Sequence, residues 1–95
     1  MSRCDRIESV IREAVPDAMI VVHNPDGDHF EAVVIAASFR GMSRLAQHRR
    51  VMGALTPALK EDVHAFSLKT FSMDEWDTHA ATHPHIQRLV KEKYE

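Results

Sequence analysis

The stretch that most constrains this chain is residues 29–37, with Ala32-Val33-Val34-Ile35-Ala36 at its centre. Val and Ile favour a pleated, extended backbone, and successive side chains of a strand point to opposite faces. A run with an apolar residue at every position is therefore apolar on both faces. That pattern fits a central strand, or a strand with one face kept for a partner. Ahead of it, residues 18–23 are short, rich in Ile and Val, and read as another strand. Asn24-Pro25-Asp26-Gly27-Asp28 between them is dense in turn formers, so the two strands make an antiparallel hairpin.

The flanking segments change period. Ser2 can cap a helix, with Asp5 three residues on as an imperfect capping box. Ile7, Val10, Ile11 and Ala14 follow at helical spacing. Pro16 disfavours the helical region at Val15 and ends that helix. After a loop over residues 38–42, Ser43 is an N-cap, and Leu45, His48, Met52, Leu55 and Leu59 form an apolar seam with His48 inside it. Thr56-Pro57 resembles a second cap followed by proline at a first helical position, so the helix is expected to kink or split there. Residues 63–71 read as a third strand. Alternation sets His64, Phe66, Leu68 and Thr70 on one face, with Phe66 and Leu68 toward the helices and His64 at the rim of the core. Ser72 and Glu75 form a capping box, Trp76 packs the short helix down, and Thr82-His83-Pro84 breaks it. Ile86, Leu89, Val90 and Tyr94 mark a last amphipathic helix.

The order is α-β-β-α-β-α. A helical crossover makes the second and third strands parallel, with a right-handed connection expected. The expected fold is α+β, a three-stranded mixed sheet with helices packed on one face, in a single domain over residues 1–95. A chain of 95 residues can bury one core without disulfides.

The lone Cys4 excludes an internal disulfide and points to a reducing compartment. The longest apolar run, residues 32–37, is too short to span a bilayer. The first residues lead into an amphipathic pattern, not a signal-peptide core. The expectation is a cytoplasmic protein without a membrane partner. Net charge is -2, yet residues 32–60 contain no Asp or Glu and hold Arg40, Arg44, Arg49, Arg50 and Lys60. A local basic face binds phosphate backbones or acidic protein surfaces; a solvated helix face is the plain alternative.

The chain has 7 histidines, and neutral imidazole is the commonest metal ligand. No Cys pair and no His-Glu-x-x-His accompanies them. A metal site would therefore be open, or completed by another molecule. His48 reads as a buried neutral histidine in the seam, and His79, His83 and His85 as solvated surface near a helix junction. Cys4 lies in a first helical turn, where the dipole lowers a thiol pKa; an idle thiol is the default. No nucleophile lies beside a base, and no glycine loop cradles phosphate, so the chain reads as a non-enzyme.

Phe39-Arg40-Gly41, Ser43-Arg44-Leu45, His48-Arg49, His64-Ala65-Phe66-Ser67-Leu68-Lys69-Thr70 and Glu75-Trp76 follow one another in an order and spacing that resembles the BolA-like proteins, in their short-loop branch. The resemblance implies a class II KH-like fold. It also implies a non-enzymatic protein that pairs with a monothiol glutaredoxin to hold a bridging [2Fe-2S] cluster, and carries no cluster when isolated. Iron-sulfur trafficking or iron and redox regulation would be its setting. His64 matches the family's histidine ligand. The hairpin loop supplies the second ligand: His29 in Asp28-His29-Phe30 is preferred, and His23 is the alternative. Imidazole in place of thiolate on one iron raises a cluster's potential.

BolA-like proteins are also described as transcriptional and stress-response regulators. That implies DNA as the other partner, met by Arg40, Arg44, Arg49, Arg50 and Lys69. KH domains clamp a nucleic-acid backbone with Gly-x-x-Gly. In Gly41-Met42-Ser43-Arg44 the second glycine is Arg44, which gives up close backbone approach and gains a cation.

Overall fold

The computed structural model describes residues 2–95, with the side chains of residues 61–63 outside the described set. Helix α1 is Arg3–Ala14, and its capping box is complete. Ser2 Oγ accepts from the Asp5 amide at 3.1 Å, and the Ser2 amide donates to Asp5 Oδ2 at 3.3 Å. Strands β1 (Met19–His23) and β2 (Phe30–Ala36) form the expected antiparallel hairpin, with His23 opposite Glu31 and Met19 opposite Ile35. Helix α2 is Arg44–Leu59, capped by Ser43, whose hydroxyl accepts from the Ala46 amide at 3.1 Å. Strand β3 (Phe66–Ser72) pairs with β2 in parallel, so β2 is central. Helices α3 (Met73–His79) and α4 (Pro84–Tyr94) complete the chain. Among the described residues, no helix is long and apolar enough to cross a membrane.

The class, the element order and the mixed sheet are those expected; the placement of the helices is not. Instead of packing on one face, they cover both. Phe30, Ala32, Val34 and Ala36 pack with Ile7 and Ile11 of α1 and Val51, Leu55 and Leu59 of α2. The intervening Val33 and Ile35, with Val21 and Phe71, pack with Trp76 of α3 and Val90 of α4. A central strand apolar on both faces needs two covers, and each large aliphatic side chain so buried contributes about 1.5–3 kcal/mol. On the second face the Phe71 and Trp76 rings lie 5.4 Å apart.

Three further expectations change. First, α2 turns a different stripe inward: Gln47, Val51, Leu55 and Leu59 are buried, whereas Leu45 and His48 are exposed. Gln47 is wholly buried because its amide is used, donating to Met42 O at 3.1 Å and to Glu75 Oε1 at 2.9 Å. His48 is therefore no core histidine. Second, α2 is not split at Pro57 but runs on as one helix to Leu59. Pro57 has no amide to give, and Thr56 Oγ1 donates to Met52 O at 2.8 Å in the adjacent turn. Third, β3 starts at Phe66, because residues 60–65 form a 3₁₀ segment. His64 thus precedes the strand in a turn and does not share its alternation; the strand start expected at Val63 falls where no side chain is described.

The outer edge of β1 is closed by the end of α4. Tyr94 Oη accepts from the Ile20 amide at 2.8 Å and donates to Ile20 O at 3.1 Å. Arg12 of α1 donates to Tyr94 Oη at 3.1 Å and to Ala18 O at 3.3 Å. Lys93 donates to Ile20 O at 2.8 Å and pairs with Glu8. An edge strand left bare would present free backbone groups to other chains.

Candidate functional site

The parallel pairing of β2 and β3 decides which histidines meet. Phe30 lies opposite Phe66 at the start of both strands, so the residues just before them arrive at one end of the sheet. There His29 and His64 line one concavity of about 220 Å³, with Phe30, Glu31, Ala65, Phe66 and Ser67. His64 is exposed, and His29 is 66% exposed.

The hairpin loop holds His29 through Asp26. Asp26 Oδ1 accepts from the amides of Asp28 and His29, each at 2.8 Å, closing the turn. Gly27 sits at φ 84°, a left-handed conformation that side chains rarely adopt. Asp26 Oδ2 lies 2.7 Å from His29 Nδ1. These hydrogen bonds hold the Asp26 carboxyl down at about 2, and the same carboxylate raises the His29 imidazole above its ordinary value. With Nδ1 engaged, Nε2 is the nitrogen left to ligate. A carboxylate on the far nitrogen is how metal-binding histidines are commonly oriented.

His23 is placed differently. Its Nε2 is 2.7 Å from Glu31 Oε2 across the hairpin, and its ring lies 5.6 Å from that of His85 in an edge arrangement. It is absent from the lining of the His29–His64 concavity.

The basic residues are not gathered on one face. At 3.6 residues per turn, Arg44, Arg49 and Arg50 point in three directions around α2. Arg44 donates to Glu75 Oε2 at 3.0 Å and lies over the Phe71 ring at 5.0 Å. Arg50 donates to Ala14 O at the end of α1, 3.2 Å away. Arg40 and Asp74 form an exposed pair at 3.8 Å. Arg49 is exposed. Lys69, also exposed, shares a cleft with Arg44. Gly41, at φ 80°, keeps the turn before α2 in a conformation suited to glycine.

Cys4 is partly buried against the first core, and desolvation, with Asp5 beside it, raises its thiol pKa. The dipole-activated thiol is thereby set aside. Among the described residues, no three His, Cys, Asp or Glu side chains gather in a way that could hold a metal ion. A contact at this candidate site that the sequence pattern does not announce is Asp26 on His29; its signal is an Asp three residues before a histidine, which also reads as turn chemistry.

A family model described as BolA-like protein matches residues 10–75. The DNA-binding transcriptional regulator BolA of Haemophilus influenzae is 32% identical over 62 residues, which cover 65% of this chain and 60% of that protein. The acid stress protein IbaG of Escherichia coli is 32% identical over 74 residues, covering 76% of this chain and 86% of that one. Among solved structures, a bolA protein homologue from Coxiella burnetii is similar with a TM-score of 0.64 at 36% identity, covering 81% of this chain and 99% of its own.

Proposed function

The chain belongs to the BolA-like protein family, and on that premise we propose that it is a non-enzymatic protein that joins a monothiol glutaredoxin in holding a bridging [2Fe-2S] cluster, in iron-sulfur trafficking or iron and redox regulation of the cytoplasm. The observation that carries this reading is the pair His29 and His64 on one open concavity. Two imidazoles are half of a four-ligand set, so the rest must come from outside the domain. His64 and His29, through Nε2, are the residues that would hold the cluster. Bound, the cluster supplies one-electron chemistry at a potential raised by nitrogen ligands. Asp26 orients His29, while His23, paired with Glu31, lies outside the concavity that His29 shares with His64.

The test is the visible spectrum of the protein mixed with cluster-loaded glutaredoxin. The isolated protein should show no cluster absorption, and the mixture should show a changed spectrum. His64→Ala should remove that change with the fold intact by circular dichroism. A mutant complex with an unaltered spectrum would take His64 out of the site.

DNA is the second reading, favoured by the relatives named as DNA-binding regulators and by the exposed Arg49 and Lys69. Arg44→Ala and Arg49→Ala should then each lower the slope of log affinity against log salt by about one unit. Binding indifferent to salt would count against α2 as the contact.

A further inference from the structure

Farther along β3 lies a second cleft, separate from the His29–His64 concavity. Arg44 of α2, Lys69 and Phe71 of β3, His79 at the end of α3 and His83 at the start of α4 line a cavity of about 320 Å³. His79 and His83 lie beyond residue 75, where the match to the family model ends.

The Phe71 ring organises the cleft. The Arg44 guanidinium sits over it at 5.0 Å, and the rings of His79 and His83 tilt against it at 6.2 and 5.9 Å. The nearby carboxylates are already engaged. Glu75 Oε1 accepts from Gln47 Nε2 and the Ser72 amide, both at 2.9 Å, and Oε2 accepts from Arg44. Asp74 faces Arg40. A guanidinium carries five N–H donors, and the Glu75 contact uses one end of the fork. Among the described residues, the Lys69 ammonium and both imidazoles have no hydrogen-bond or ion-pair partner. Four basic groups from four parts of the chain thus converge on one hollow, and of these only Arg44 already shares a carboxylate, that of Glu75.

We propose that this cleft binds the terminal phosphate of a small phosphomonoester, held by Arg44 and Lys69 and strengthened by protonation of His79 and His83. Basic groups converging on one hollow match a compact group with three terminal oxygens and about -1.5 to -2 charges. A polynucleotide, whose charges lie in a row, is matched by cations spread along a surface. Histidine is the side chain that changes charge between about pH 5 and 8. Each imidazole that takes up a proton adds a donor and a positive charge facing the phosphate, so affinity rises as pH falls.

The probes are inorganic phosphate, O-phosphoserine and sulfate, followed by amide and imidazole NMR shifts at pH 6 and pH 8. The phosphomonoester itself titrates near pH 6, at about its second pKa, and inorganic phosphate also changes charge between the two pH values; sulfate stays doubly charged, so its pH dependence belongs to the protein. The expected result is saturable shifts at Lys69, His79 and His83 with all three probes. Sulfate should bind about fivefold or more tighter at pH 6 than at pH 8, since each linked proton contributes up to about tenfold per pH unit. His79→Gln and His83→Gln should each reduce that ratio, with helix content unchanged. Shifts that never saturate, or a ratio that survives both substitutions together, would overturn the proposal. So would a short DNA duplex that perturbs these resonances where phosphate does not, which would assign the cleft to a polynucleotide.

Discussion

His29 and His23 are two imidazoles of one hairpin, each with an acid beside it, and only His29 shares a concavity with His64. Asp26 raises His29 and is itself held at about 2. The Asp26 contribution is present above the ordinary carboxylate range and lost as pH falls toward 2. The His29 contribution is present below its ordinary value and lost as pH rises through the raised one, so the pair acts in the window between. Asp26→Asn should therefore move the His29 NMR titration midpoint downward; an unmoved midpoint would mean the contact is not kept in solution. A ligand must be neutral, so cluster retention should weaken as pH falls through the raised His29 value. His29→Ala should destabilise the shared cluster, and His23→Ala should leave its spectrum nearly unchanged; the reverse would exchange their roles. The place of His64 near the entry to β3 was legible in the sequence. Which loop histidine shares its concavity was not, because that follows from the pairing of β2 with β3, and one-dimensional spacing leaves that open.

Helix α2 shows where pattern reading goes out of phase. Leu45, His48, Met52, Leu55 and Leu59 have helical spacing, yet the buried stripe is Gln47, Val51, Leu55 and Leu59. Hydrophobicity alone cannot predict a buried glutamine, because its burial depends on partners from other elements. One of them is Glu75, held at about 2 with Gln47 as the largest cause, followed by the Ser72 amide. Gln47→Ala should cost about 2–4 kcal/mol, from a lost hydrogen bond to a carboxylate, a bared carbonyl and a cavity. Combined with Glu75→Ala in urea unfolding, the two losses should be non-additive by about 0.5 kcal/mol or more; strict additivity would mean the pair does not interact. The depressed carboxyl adds stability above its unfolded value, and that share fades as pH falls toward 2. Both capping boxes and the hairpin, by contrast, were readable directly, since their partners lie within a few residues of each other.

For the molecule as a whole, the sequence announced a strand apolar on both faces but not what would cover the second one. The expectation set all the helices on one face, whereas Val33 and Ile35 of the central strand are covered by Trp76 of α3 and Val90 of α4 on the other. The same arrangement joins distant parts of the chain at the β1 edge, where Tyr94 and Lys93 meet Ile20, Arg12 and Glu8. The consequence is kinetic. Contacts closing so long a loop form only after its entropy has been lost, so α4 should dock late and open first. The Ile20 amide, bonded to a phenol and not to a strand, then becomes a clock for that opening. In native-state hydrogen exchange it should exchange at the rate at which α4 lifts away, well before the amides that pair β2 with β3. Tyr94→Phe should speed exchange at Ile20 alone, while equal acceleration along β2 would show that the whole domain opens as one unit.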